Sequence, residues 1–200
     1  MRLSADVAGV AGSDAQRVAV RLPKVSLVFS VLAAVSAIYL ALPGTAQPAG
    51  ARVTAVELTT LDHGVLDQLN AIRKLHGLVP LTLNPALNAS SAQHSVEMGT
   101  RGYFEHNSAD GTLFWKRIQR YYPASSFRYW SVGENLLWSS PDVDPAQAMR
   151  MWMNSPEHRA NILNPNWRQI GVSSVHLTAA PGTYGNLAVT IITTDFGVRR

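Results

Sequence analysis

The 200-residue chain contains no cysteine. That absence excludes disulfides, thiol nucleophiles and thiolate metal sites in one step. It leaves the compartment open, because a domain with an adequate core folds without disulfides. Charge is scarce too: 15% of residues are Asp, Glu, Lys or Arg, against 46% hydrophobic. A chain of that balance buries a core rather than staying disordered. The net charge is +4, shared equally between residues 1–50 (Arg2, Arg17, Arg21 and Lys24 against Asp6 and Asp14) and the remainder. No run of Lys or Arg exceeds two residues, so no basic stripe is present to track phosphates, and no nucleic-acid partner is expected. Also missing are GxSxG, SxxK, HExxH, the P-loop and GxGxxG. Their absence removes the commonest hydrolase, nucleotide and dinucleotide chemistries.

What is present divides the chain into four stretches. Residues 1–24 form a basic N-terminal region. Residues 25–42, VSLVFSVLAAVSAIYLAL, carry no charge and are followed by small residues and prolines. A basic flank, an apolar run and small residues make the layout of a secretory signal. The same run just reaches the length of a membrane anchor, with its basic flank held inside. Cleavage is the favoured reading, and both readings place the rest of the chain outside the membrane, which the protein meets only through this segment. Residues 43–60 read as a linker, and 61–197 as the folded domain.

Within that domain, Leu61, Val65, Leu69, Ile72 and Leu75 share one helical face, with Gly77 placed to end the helix. Asn84-Pro85 is a cap-and-first-turn pair that opens a second helix, carrying Leu87, Ser91, His94 and Met98 on one side and stopping at Gly102. A third opens at Thr112 and ends before Pro123. Asp144-Pro145 and Ser155-Pro156 repeat the device for short helices over 145–153 and 156–163. Arg168–Leu177 and Asn186–Asp195 are β-rich and read as a hairpin. Helices followed by a hairpin make an α+β domain.

Three segments hold polar residues in unusual settings. His106 lies in FEHNSADG, a loop between two helices. Glu134, in GEN, is flanked by Trp130, Leu136 and Trp138. Either it is a structural carboxylate, paired with Arg159, or it belongs to a site. His158, in SPEHRANIL, occupies the first turn of a short helix, where the dipole disfavours a charged ring. It is a ligand, a base, or a brace for its own helix. Ser108 and Ser155 read as turn and cap residues, with no base beside them to make a nucleophile. The tryptophans read as core.

These segments in this order resemble the CAP superfamily (cysteine-rich secretory proteins, antigen 5 and pathogenesis-related proteins), and more closely its cysteine-free bacterial branch. The blocks are LNAIRKLHGLVPLTLNPALNASSAQHSVEMGTRGYFEH, GENLLW, WMNSPEHRANILNPNWRQIGV and ITTDFG, with SPEHRANIL the most specific. The resemblance implies a three-layer α-β-α sandwich with a central antiparallel sheet and a broad cleft. Typical members line that cleft with two His and two Glu that hold a divalent cation. His106 matches the first histidine and Glu134 the first glutamate. Ser155 stands where the second glutamate would be, and Asn166-Trp167 where the second histidine would precede an aromatic. His158 belongs to the bacterial motif and faces the same cleft. The implied ligand-binding set is therefore His106, Glu134 and His158, an incomplete metal tetrad in which Zn²⁺ would be held by three side chains.

Two functions of different class follow from the resemblance. The leading expectation is an exported or surface-anchored binding module for a lipid or cell-envelope component, without catalysis. The alternative is a metal-assisted hydrolase using His106, Glu134 and His158, with Glu134 and His106 as the catalytic candidates. An adhesive envelope module is the third.

Overall fold

The computed structural model describes residues 58–200 together with the backbone of 7–10 and 16–21. The expectations for residues 25–42 and 43–57 lie outside the described residues.

Helix α1 (Thr60–Leu75) starts where Thr59 and Asp62 form a reciprocal capping box. Gly77 follows it at φ +69°, a left-handed turn that glycine adopts without strain. Helix α2 (Pro85–Arg101) opens on Asn84, whose side chain accepts from the amides of Ala86 and Leu87, and closes on Gly102 at φ +73°. Both helices match the sequence expectation. Helix α3 (Phe114–Tyr121) begins two residues later than Thr112 suggests, with Leu113 at the cap and no side-chain hydrogen bond there. Helices α4 (Pro145–Asn154) and α5 (Pro156–Ile162) follow their cap-proline pairs.

The hairpin is β5 (Gln169–Ala180) and β6 (Leu187–Arg199), longer than the sequence suggested. Its inner neighbour is β4 (Tyr129–Ser140), a strand the sequence pattern concealed. Both faces of β4 are covered, so the alternation that betrays a half-exposed strand is lost. The sheet runs β4-β6-β5-β3, with β3 (Thr82–Leu83) parallel to β5 and the other pairs antiparallel. Along the outer side of β4 lie β1 (Val7–Val10), opposite Leu137–Ser140, and β2 (Gln16–Arg21), opposite Tyr129–Glu134.

Period-2 alternation then sorts side chains into layers. On one face Leu137, Val172, Ile192 and Phe196 pack under α1, α4 and α5, with Trp152 and Trp167 fully buried. On the other, Val132 and Trp130 meet Leu87, Phe114 and Ile118 of α2 and α3, while Leu136 and Ile191 meet Met98. Helices on both faces of one sheet make the three-layer α-β-α sandwich. Four of the five tryptophans are core, as expected: Trp130, Trp138, Trp152 and Trp167 are buried, while Trp115 is half-buried at the edge of the α2/α3 cluster.

Candidate functional site

Four elements converge on one buried cluster. β4 contributes Glu134, the loop after α2 contributes His106, α3 contributes Arg117, and β6 contributes Asp195, the register partner of Glu134. Glu134 and Asp195 have no exposed surface. The two oxygens of Glu134 divide their work. Oε1 lies 2.7 Å from Nδ1 of His106, and Oε2 accepts a charge-assisted bond from Nη2 of Arg117. Arg117 also donates through Nη1 to the His106 carbonyl at 2.9 Å, so one guanidinium pins both the loop and the carboxylate. The partner proposed from sequence, Arg159, is exposed and donates instead to the Met153 carbonyl.

The electrostatics follow from this geometry. Burial pushes Glu134 upward, but the Arg117 guanidinium, with His94 and His106, outweighs it and holds the carboxyl well below the ordinary range. Asp195 has no guanidinium of its own. Burial and the neighbouring charge of Glu134 push its carboxyl well above the ordinary value. His94, buried on α2 with Nε2 3.0 Å from the Glu105 carbonyl, is lowered to about 4 by burial. It is a packed histidine, as its place on the Leu87/Met98 face implied.

His158 stands on α5 and is fully buried. Its Nδ1 is 2.6 Å from Ser155 Oγ. Burial, followed by the proximity of His106, lowers it to about 4, so the ring is neutral at physiological pH. Ser155 therefore does have a base beside it, contrary to expectation: its hydroxyl leaves the helix amides uncapped and turns to the imidazole. Asn161 ties α5 to the sheet, donating to the Glu134 carbonyl at 3.1 Å and to Asn135 at 3.0 Å. Asn135 in turn donates to the His158 carbonyl at 3.2 Å.

His94, His106 and His158 share one feature. Each has one ring nitrogen anchored and the other buried with no hydrogen-bond partner, Nδ1 in His94 and Nε2 in His106 and His158. Of the three expected site residues, the structure joins His106 and Glu134 directly and sets His158 close enough to His106 for their charges to interact. Sequence reasoning missed Arg117 and Asp195. An acidic residue inside the strand-like ITTDFG was the available signal for the second.

The implied metal set is not preassembled as a ligand cluster. Both oxygens of Glu134 are hydrogen-bonded, to His106 and Arg117. Among the described residues no group of three or more His, Asp or Glu side chains is arranged to hold a metal ion. Glu134 instead orients the ring that bears the open nitrogen.

The model of the cysteine-rich secretory protein family, CAP, matches residues 66–190. YkwD of Bacillus subtilis (strain 168) is 31% identical over 134 residues, covering 66% of this chain and 50% of its own length. The membrane protein YlbC of the same organism is 30% identical over 114 residues, covering 57% of this chain and 31% of its own length; the chain thus covers half or less of the curated relatives it matches. An extracellular protein containing an SCP domain from Bacillus anthracis str. Ames superposes with a TM-score of 0.51 at 27% identity, over 69% of this chain and 40% of that one. An outer surface protein from Borrelia burgdorferi superposes at 0.53 and 20% identity, over 68% and 90%, a likeness of fold. With sandwich, sequence blocks and family model in agreement over most of the described domain, the chain belongs to the CAP family of cysteine-rich secretory proteins.

Proposed function

We propose that this domain is an exported binding module whose two open imidazole nitrogens, on His106 and His158, receive an uncharged polar group of a lipid or cell-envelope component. The single observation that carries this is the pair of buried Nε2 atoms without partners. An unmet buried polar atom costs about 1–3 kcal/mol, and a ligand that satisfies both recovers that cost. A hydroxyl donates and accepts at once, and an amide offers both functions, so either suits a pair of unpartnered imidazole nitrogens. An anion suits it poorly, because the nearest cation, Arg117, is already engaged by Glu134. Residues flanking His106 also border a recess of about 400 Å³, lined by Arg101, Tyr103, Glu105, Asn107 and Ser108. Export is supported by the layout of residues 1–60 and by the extracellular SCP-domain protein described above.

The test is calorimetric titration of the chain with solubilised envelope glycan fragments and with a hydroxyl-bearing lipid in detergent. Saturable binding of one class, weakened at least about tenfold in His106→Ala and in His158→Ala (about 1.4 kcal/mol), supports the reading. No saturable binding of either class by folded protein overturns it.

A second reading rests on the contact between Ser155 Oγ and His158 Nδ1. In it the imidazole takes the hydroxyl proton as the oxygen attacks an acyl carbon, then returns it to the departing alcohol or amine as the scissile C–O or C–N bond breaks, and water releases the acyl group in the reverse sense. We expect no Ser155 adduct with a fluorophosphonate. An adduct abolished by His158→Ala establishes the hydrolase instead.

A further inference from the structure

The apolar stripe of α1 does not end as its sequence pattern implies. Val65 and Leu69 are fully buried, but Leu75, on the same periodic face, is 84% exposed. Val79 follows at 56% and Leu83 at 38%, and Gly77 at φ +69° turns the chain between the first two. These side chains stand in water on a turn, not in a groove. The turn sits at one end of the sheet. Thr82 donates its N–H and its hydroxyl to the Arg168 carbonyl just before β5 starts, and the Arg168 N–H bonds to the Gly197 carbonyl of β6. At that same end β4 starts after Arg128, and the Tyr129 and Arg200 backbones bond to each other.

The end is basic. Lys74, Arg128, Arg168 and Arg200 are exposed on it, and Arg199 lies over the rings of Tyr122 and Phe127. Arg168 donates through Nη1 to the Pro165 and Trp167 carbonyls, neutral groups that leave its charge unmatched. No Asp or Glu occurs in residues 68–96, 111–133, 158–194 or 196–200, the stretches that build this end. The acids that border it are Asp67, about two turns before Lys74 on α1, and Glu157 at the start of α5. Apolar side chains that protrude from a turn suit a fluid apolar medium, which closes around them, whereas a protein partner would need a matched recess. Cations around them select a surface of negative charge. Lys and Arg stems are long enough to leave their charges among headgroups while Leu and Val sink below.

We propose that this end of the sheet is a docking surface for an anionic phospholipid bilayer, with Leu75 and Val79 inserted below the headgroups and Lys74, Arg168 and Arg200 on the lipid phosphates. It uses none of the side chains of the His106 and His158 site. It does not depend on residues 25–42, the membrane contact that the sequence itself suggested.

Because the chain has no cysteine, one introduced into the full chain is labelled alone by a thiol-reactive, environment-sensitive fluorophore. Val79→Cys reads insertion of the turn. Thr183→Cys, in the turn between β5 and β6 at the opposite end of the sheet, is the control. The expected result is a blue shift of the Val79→Cys label on vesicles of phosphatidylglycerol and phosphatidylcholine in equal parts. None is expected on phosphatidylcholine alone, and none from the Thr183→Cys label on either. Adding Leu75→Asp, or Lys74→Gln with Arg168→Gln, is expected to raise the half-saturating lipid concentration at least about tenfold. Every variant keeps residues 25–42, so insertion of that segment contributes equally to all of them. An unshifted Val79→Cys label, an equal shift at Thr183→Cys, or a shift that survives both sets of substitutions overturns the proposal. A shift that grows with protein concentration without vesicles means that a second copy covers the turn, and overturns it too.

Discussion

At the scale of single residues, Arg117 holds the site together, since it answers the buried charge of Glu134 and the carbonyl of His106 at once. Removing one member of a buried ion pair leaves the other uncompensated, at about 3–5 kcal/mol. Arg117→Met is therefore expected to lose that much in urea denaturation, far more than Arg159→Met, whose exposed side chain reaches only the Met153 carbonyl. The sequence singled out Glu134 and His106, and the structure brings the two into contact. Sequence reasoning named the wrong arginine, because pairing across a fold is set by which helix lies over which strand, and no local spacing encodes that. Ser155 teaches the same lesson. Its position before Pro156 reads as a cap, yet its hydroxyl serves His158.

At the scale of elements, two positions show how closely the layers meet. A methyl group at Gly171 would run into the Leu87–Asn88 backbone of α2, and one at Gly133 would lie 2.8 Å from the Asn161 side chain of α5. Neither neighbour has room to retreat, because Asn88 and Asn161 are themselves bonded to the sheet at Val172 and Glu134. Gly171→Ala is expected to cost about 3 kcal/mol by overpacking, read as a lowered denaturation midpoint. The two cap positions separate in a further comparison. Asn84→Ala removes a true helix cap and is expected to cost about 1 kcal/mol. Ser155→Ala, which caps nothing, is expected to cost less while releasing the His158 ring, seen in its nitrogen NMR shifts. Helices with cap-proline starts were legible in the sequence for this reason: their signals are local and physical. β4 was not, because a strand covered on both sides has no alternating pattern to read.

At the scale of the molecule, buried titratable groups shape stability against pH. His94 and His158 are lowered to about 4 by burial. The unfolded chain takes up their protons near 6.5 while the folded chain resists until about 4, so stability is full above the unfolded value and drains as pH falls through that window. Glu134, held low in the fold, adds its own loss below about 4.5. Thermal midpoints are expected to fall steadily from about pH 6.5 to about 4, less steeply in His158→Gln. The N-terminal strands bear on topology. A ladder does not cross a bilayer, so cleavage after residues 25–42, or anchoring with 1–24 on the far side, strips β1 and β2 from β4. Hydrogen exchange of the chain starting at residue 51 is expected to speed up at the β4 amides that face β1 and β2, while those bonded to β6 stay protected. Equal exchange in both forms means that the outer ladder is not made in solution.

By itself the sequence determined the family, the starts of the helices that open on a cap-proline pair and the terminal hairpin, because blocks, caps and hydrophobic periods are properties of neighbouring residues. Only the tertiary structure decided which arginine neutralises Glu134, that Asp195 stands beside it, and that His106 and His158 each keep a buried ring nitrogen without a hydrogen-bond partner. Those are matters of strand register and helix placement, and they bring together residues that lie far apart along the chain.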